Sequence, residues 1–358
     1  MFYHLFYPLS ADYSAFNVFR YITFRSIFAF MLAALVSIIW GKKFIQFMRN
    51  KQFGQIIRSD GPESHFCKAG TPTMGGCVIL GSLLVALLFC GNFVSYPVLI
   101  TLFVTVSFFV LGFIDDYLKV LKNDPKGVSA KGKLLWQFIT GLTVGLLIYH
   151  LNITDTKLYI PFVKDPIIDF GFFYIFFVAF VIVASSNAVN LTDGLDGLAI
   201  GPVVTSSASL GLLAYVSGHS EISAYLFVPY VENVGELMVI AFAVIGAGVG
   251  FLWYNSYPAQ IFMGDSGSLF LGGLLGTLAV VTKNEILYIV IGGIFVVEAV
   301  SVILQVGSYK LRKKRIFKMA PIHHHFELNG WPEPKVIVRF WIVSMFLAIL
   351  AIATLKTR

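Results

Sequence analysis

Three short polar stretches interrupt an otherwise apolar chain and place carboxylates at the seams between apolar runs and loops. They are Asp115-Asp116-Tyr117-Leu118-Lys119, Asn190-Leu191-Thr192-Asp193-Gly194-Leu195-Asp196-Gly197, and Asn255 through Met263-Gly264-Asp265-Ser266-Gly267. Ionisable groups at such seams are costly to hold near lipid, so they point to function. Acidic residues converging from several helices suit a divalent cation and a phosphorylated substrate.

Each stretch also has a plainer explanation. Asp115 and Asp116 close an apolar run, with Lys119 one turn on at i+4 and i+3, where it can pair with either. A solvated helix end with an ion pair would account for that. Two adjacent carboxylates directly after Leu111-Gly112-Phe113-Ile114 repel at a low-dielectric edge, however, and a cation or a substrate proton would relieve them. Asn187, Asn190, Asp193 and Asp196 recur every three residues, and Gly194 and Gly197 suggest that the helix gives way there. Capping explains one or two of these side chains but not all of them. Asp265 precedes the small residues that open an apolar run, near the positive end of a helix dipole. It could be an N-cap, a metal ligand or both. Phe262 beside it is expected to be exposed.

Pro321 and Phe326 bracket His323-His324-His325. Consecutive residues seldom aim at one metal, and no cysteine is spaced for zinc, so phosphate binding or acid–base work suits these histidines better. A structural loop is the alternative. Gly70-Thr71-Pro72-Thr73-Met74-Gly75-Gly76 lacks the G-K-[ST] ending of a Walker loop. It could be a turn, although Lys68 and Thr73 fall on the same side as the acidic stretches. The run Lys310 to Lys318 reads as an orientation signal and a lipid-headgroup contact.

The elements that must position these residues follow from composition. Of 358 residues, 57% are hydrophobic and only 13% charged, about half the charge of soluble domains. Apolar runs of roughly 17–25 residues match bilayer-spanning helices, and the alternating segments of membrane β-barrels are absent. The expected fold is an all-α polytopic integral membrane protein, residues 1–358 forming one domain with about ten transmembrane helices in one bundle. The spans are expected near 21–41, 72–91, 97–114, 134–151, 170–187, 198–216, 236–254, 267–282, 286–307 and 336–355. The aromatic N-terminus lacks a basic region and a cleavage site, so it reads as an interfacial lead-in to the first span. Cys67, Cys77 and Cys90 have no metal-ligand spacing and read as free thiols.

A net charge of +7 could suggest nucleic acid. The basic residues instead crowd three loops, after the first span (Lys42, Lys43, Arg49, Lys51, Arg58, Lys68), the third (Lys119, Lys122, Lys126, Lys131, Lys133) and the ninth (Lys310 to Lys318). That is a membrane-orientation pattern. Odd-numbered spans then end in the cytoplasm, both termini lie outside, and the acidic stretches and histidines share the cytoplasmic face. Lys356 and Arg358 go against the rule but are outnumbered.

Taken together and in order, these motifs resemble the polyprenyl-phosphate N-acetylhexosamine-1-phosphate transferase superfamily. The likeness runs through Gly70 to Gly76, Asp115-Asp116-Tyr117, Asn190 to Gly197, Asn255 and Met263 to Leu269. It is most specific at Ala320-Pro321-Ile322-His323-His324-His325-Phe326-Glu327-Leu328, continued by Asn329-Gly330-Trp331-Pro332-Glu333. The resemblance implies ten transmembrane helices and a cytoplasmic active site in the bacterial inner membrane, with both termini periplasmic. It further implies that phospho-MurNAc-pentapeptide passes from UDP-MurNAc-pentapeptide to undecaprenyl phosphate, giving lipid I and UMP, with Mg²⁺ as cofactor. It assigns Asp265 as metal ligand, and Asp115, Asp116, Asp265 and His324 as catalytic. For the substrate it implies Lys68, Thr73, Lys119, Lys133, Asn190, Asp193, Gly194, Leu195, Asp196, Asn255, Phe262, Gly264, Gln305, His323 and His325. The aromatic face of Phe262 could stack on uracil. Membrane lipid is the expected surroundings, a homodimer is compatible with the chain, and nucleic acid is not an expected partner.

Attack of one phosphate on a diphosphate is mainly a matter of positioning and charge neutralisation. Either the lipid phosphate attacks directly, with Asp115 orienting or deprotonating it, or an aspartate attacks first to give a phospho-enzyme. Direct attack is favoured, because an Asp265 bound to a cation is a poor nucleophile. Three other functions compete. A GlcNAc-1-phosphate transferase would use the same chemistry, although the triple histidine and its Phe326-Glu327-Leu328 tail argue against it. A secondary transporter would put its charges near the midplane. A membrane scaffold leaves the clustered carboxylates unexplained.

Overall fold

The computed structural model describes residues 2–51, 68, 70–122 and 127–356. Cys67, Arg58 and Lys126 lie outside the described residues. Among those described, helices dominate. The first half holds α1 (Phe2–Phe6), α2 (Ile22–Asn50), α3 (Gly76–Cys90), α4 (Tyr96–Leu121), α5 (Ala130–His150), α6 (Tyr174–Thr192) and α7 (Ile200–Ser217). The second holds α8 (Ser220–Leu226), α9 (Leu237–Asn255), α10 (Asp265–Val281), α11 (Glu285–Ile291), α12 (Gly293–Arg312), α13 (Ile322–Glu327) and α14 (Glu333–Ala353). A small antiparallel hairpin, β1 (Lys157–Leu158) with β2 (Ile168–Asp169), projects between α5 and α6.

Among the described residues, eight helical segments are long and apolar enough to cross a membrane, and α3 and α10 are shorter apolar helices. Every expected apolar run is therefore helical, and the chain is a polytopic membrane protein. α10 is short because it sits at the centre: all of its residues after Asp265 are buried. A helix wrapped by α4, α6, α7 and α3 need not itself match the thickness of the bilayer. Hydroxyl groups staple it in place, Ser185 Oγ donating to the Gly272 carbonyl at 2.6 Å and Ser186 Oγ to that of Leu269 at 2.8 Å.

Two boundaries differ from expectation in ways that matter. α4 continues to Leu121, so Asp115 and Asp116 lie within its last two turns and not beyond its end. The run expected as one span over 286–307 is broken between α11 and α12 at the Gly292-Gly293 pair, where the lack of side chains weakens the helix. Cys77 and Cys90 are free thiols within α3. The N-terminal lead-in is α1 followed by two 3-10 turns, Pro8–Ala11 and Ser14–Arg20.

Candidate active site

Five helix ends meet at one end of the bundle: the C-termini of α4, α6 and α9 and the N-termini of α5 and α10. Asp115 from α4 and Asp265 from α10 are bridged there by two lysines. Lys119 Nζ lies 2.5 Å from Asp115 Oδ2 and 3.1 Å from Asp265 Oδ2. Lys133 Nζ, from α5, lies 2.8 Å and 2.6 Å from the same two oxygens. Lys119 thus chooses Asp115 over Asp116, as the i+4 spacing permits. Asp115 Oδ1 also accepts the Val128 N–H at 2.7 Å, and Asn190 Nδ2 donates to Asp265 Oδ1 at 2.8 Å.

Asp116 has a separate task. Its oxygens accept the N–H groups of Asp265 at 3.1 Å and Ser266 at 2.9 Å. The open N-terminus of α10 is capped from another helix, so Asp265 does not serve as an N-cap and its carboxylate faces the lysines. This close approach depends on glycine at two positions. A Cβ on Gly112 would strike the Asp265 carbonyl, and one on Gly264, where φ is +75°, would come within 2.5 Å of Asp116 Oδ2 and 3.0 Å of Thr73 Oγ1. The Gly70–Gly76 stretch is docked on the same seam, with Phe262 N–H donating to Pro72 O at 2.8 Å and Gly75 N–H to Phe262 O at 2.9 Å. Phe262 is half-buried there, and not exposed as its neighbours suggested.

Carboxylate oxygens of Asp115, Asp116 and Asp265 lie within 4.8 Å of one another. This hard, anionic oxygen set is the donor chemistry that Mg²⁺ prefers. The fit is tested by charge: three carboxylates face two ammonium groups, which leaves a surplus of negative charge. Asp193 adds to it. Burial, and then the charges of Asp265, Asp116 and Asp196, push its carboxyl up to about 8. Residues 190–197 come close by because α6 ends at Thr192, Asp193 forms the C-cap, and Gly197 takes φ +74°.

A second polar group lies beside the first. Lys68 Nζ is 2.7 Å from Asp196 Oδ1 and 2.6 Å from Glu333 Oε1. Burial opposes its charge, but the hydrogen bonds to Asp196 and Glu333 lift the ammonium above the ordinary lysine range. The histidines form the short helix α13. Buried His323 places Nδ1 3.1 Å from Glu298 Oε1, and its ring lies against Gly194. His324 Nδ1 is 2.8 Å from Glu327 Oε2, and His325 Nδ1 accepts the Lys318 N–H at 3.1 Å.

Several expected substrate residues turn their groups toward the protein. Asn255 Nδ2 donates to Ile261 O at 2.8 Å, within its own loop. Gln305 holds the segment before the histidines, donating to Phe317 O and accepting from Ile316 and Phe317 N–H. Leu195 is buried in an apolar cluster with Val336, Ile337 and Phe340 of α14. Sequence reasoning included Glu333 in the most specific motif but gave it no role, although its place beside Trp331-Pro332 was a usable signal. It passed over Glu298, whose partner is 25 residues away.

A bundle of apolar helices with paired carboxylates and lysines at one end has the architecture of a membrane-embedded phosphosugar transferase, and residues 98–283 match glycosyl transferase family 4. Residues 68–80 match signature 1 of the phospho-N-acetylmuramoyl-pentapeptide-transferases. The chain belongs to the phospho-N-acetylmuramoyl-pentapeptide-transferase family. It is 55% identical to the proteins of that name from Geobacter sp. (strain M21) and Citrifermentans bemidjiense, and 54% identical to that from Pelobacter propionicus. All three alignments cover the whole of both chains. This membership decides for the transferase over a transporter or scaffold.

Proposed function

We infer that this protein transfers phospho-MurNAc-pentapeptide from UDP-MurNAc-pentapeptide to undecaprenyl phosphate, releasing UMP and forming lipid I for peptidoglycan synthesis. The observation that carries the reading is the junction of Asp115, Asp265, Lys119 and Lys133. It gathers charge of both signs where two phosphorylated substrates must meet. Full-length identity of 55% to relatives that bear this activity's name supports it. The basic loops support placing this end of the bundle at the cytoplasmic face of the inner membrane, with ten spans and both termini outside. The single bundle supports one catalytic domain.

Asp265, with Asp115 and Asp116, would hold Mg²⁺. Bound there, the cation would neutralise the charge of the diphosphate. Lys119 and Lys133 hold both Asp115 and Asp265 in place and present positive charge to incoming phosphate. An oxygen of the lipid phosphate attacks the sugar-bearing phosphorus; a new O–P bond forms and the bond to UMP breaks. A phosphate monoester, with a second pKa of about 6, is mostly dianionic at neutral pH, so Asp115 acts mainly by orientation. Asp265 has both oxygens engaged, by two lysines and by Asn190, which favours direct attack over a phospho-enzyme. Lys68, Thr73, Asn190, Asp193, Asp196 and Phe262 form the nucleoside side, and the histidines of α13 close it.

The experiment is UMP release by purified protein with both substrates and Mg²⁺, repeated with Asp265→Asn and with UDP-GlcNAc as donor. Loss of activity in Asp265→Asn, and on chelation of the metal, is expected. Full activity in that variant removes Asp265 from the centre. Preference for UDP-GlcNAc refutes the sugar assignment, and a labelled phospho-aspartate trapped without lipid acceptor refutes direct attack.

A further inference from the structure

Glu333 takes no part in the transfer, yet it touches two residues of the nucleoside side. Its Oε1 accepts a hydrogen bond from Lys68 Nζ at 2.6 Å and another from the Asp196 backbone N–H at 3.0 Å. Lys68 in turn reaches Asp196 Oδ1 at 2.7 Å, which closes a ring of three contacts. The other carboxylate oxygen of Asp196 accepts the Ala259 N–H at 2.9 Å. The side chains of Lys68, Asp196 and Glu333 are only 14%, 3% and 9% exposed, so little water competes for these bonds.

The fold gives Glu333 a fixed base. It is the first residue of α14, where the helix N-terminus favours a carboxylate. Prolines on both sides, Pro332 and Pro334, restrict the backbone. Further along α14, Val336 and Phe340 pack in one cluster with Leu195 and Leu198, and Trp341 Nε1 donates to the Gly197 carbonyl at 3.2 Å. The loop carrying Asp196 is therefore laid on α14, and Glu333 sets its polar end.

We propose that Glu333 is a positioning residue for nucleotide recognition: by bridging Lys68 Nζ and the Asp196 N–H, it fixes how both residues meet the nucleoside of the UDP-linked substrate. The proposal rests on the assignment of Lys68 and Asp196 to the nucleoside side. Without Glu333, Lys68 and Asp196 collapse into a simple ion pair, and the Asp196 N–H loses its acceptor. The nucleoside lies away from the reacting phosphorus, so the loss falls on binding shared by ground and transition states. That raises KM and leaves kcat nearly unchanged.

The test uses the full chain in detergent, with KM and kcat measured for each substrate in turn, UMP binding by calorimetry and the thermal midpoint. Glu333→Ala is expected to raise KM for the UDP substrate and to weaken UMP binding, each about tenfold, the worth of one charge-assisted hydrogen bond. The kcat and the KM for undecaprenyl phosphate stay within about twofold. Glu333→Gln keeps an acceptor for Asp196 while losing the charge, so it recovers part of the loss; it also carries the test if the alanine variant does not fold. A fall in kcat with both KM values unmoved, or a lowered thermal midpoint with unchanged UMP binding, overturns the proposal. Lys68→Ala and Asp196→Asn run in parallel. If they weaken UMP binding and the Glu333 variants do not, Glu333 has no positioning role. If neither weakens it, the nucleoside assignment falls, and this proposal with it.

Discussion

The two ends of the bundle both bury charge, and they do so in opposite ways. At the end away from the candidate site, Arg25 of α2 meets Glu236 in a two-pronged pair of 2.7 and 2.8 Å. Arg25 also donates to the Cys90 carbonyl at 3.2 Å, and the Tyr3 ring covers it at 4.2 Å. One cation meets one anion, and the pair is nearly dry. At the site end, three carboxylates crowd two lysines, with Asp193 close by. The first arrangement is self-sufficient and acts as a staple. The second is short of positive charge and is completed by what binds there. Burial of ionisable groups alone therefore does not mark a site; an unbalanced count does.

The comparison can be broken most sharply at the site end. Replacing both lysines, Lys119→Gln with Lys133→Gln, is expected to lower the rate of UMP release by about a thousandfold, since each charged contact contributes about 2 kcal/mol. Stranding buried Asp115 also costs stability, so the rate is taken per folded molecule, as read by the elution volume in detergent. Arg25→Met should do the reverse. It strands Glu236, costs about 3–5 kcal/mol of stability, and leaves the activity of each folded molecule intact. The thermal midpoint reads that loss, and the double change Arg25→Met with Glu236→Leu should recover most of it.

Smaller effects sharpen the contrast. Tyr174→Phe removes a hydroxyl that donates to Glu285 at 2.5 Å and accepts from buried Lys283 at 2.9 Å. It should cost about 1–3 kcal/mol of stability with no change in KM. The last contrast is one of pH. Because the Asp193 carboxyl is held up at about 8 in the folded chain against an ordinary 3.8, the folded state binds its proton more tightly than the unfolded state. Its contribution is complete below pH 3.8 and is lost as pH rises through about 8. The thermal midpoint without added cation should fall over that range, and Asp193→Asn should flatten the fall.

Much of this organisation was legible in the chain itself. The apolar runs became helices, and the break after Thr192 fell where Gly194 and Gly197 indicated it. Asp115, Asp265, Lys119 and Lys133 met as their placement at the seams suggested. The capping of α10 by Asp116 was not legible, because its partners are 149 and 150 residues away. Asn255 and Gln305 were expected at the substrate from the family resemblance, yet each ties down a loop. Glu333 was only the end of a motif in the sequence, and the fold gave it partners at Asp196 and Lys68, 137 and 265 positions away.

Sequence by itself determined the kind of element, the inventory of charges at each seam and the family. Hydropathy and helix-ending residues act through near neighbours along the chain, where the order of residues is the whole information. Tertiary structure alone decided which charge answers which. Whether a carboxylate caps a helix, pairs with an ammonium group or stays in surplus depends on distances of about 3 Å that only the packing of α4, α5, α6, α10 and α14 creates.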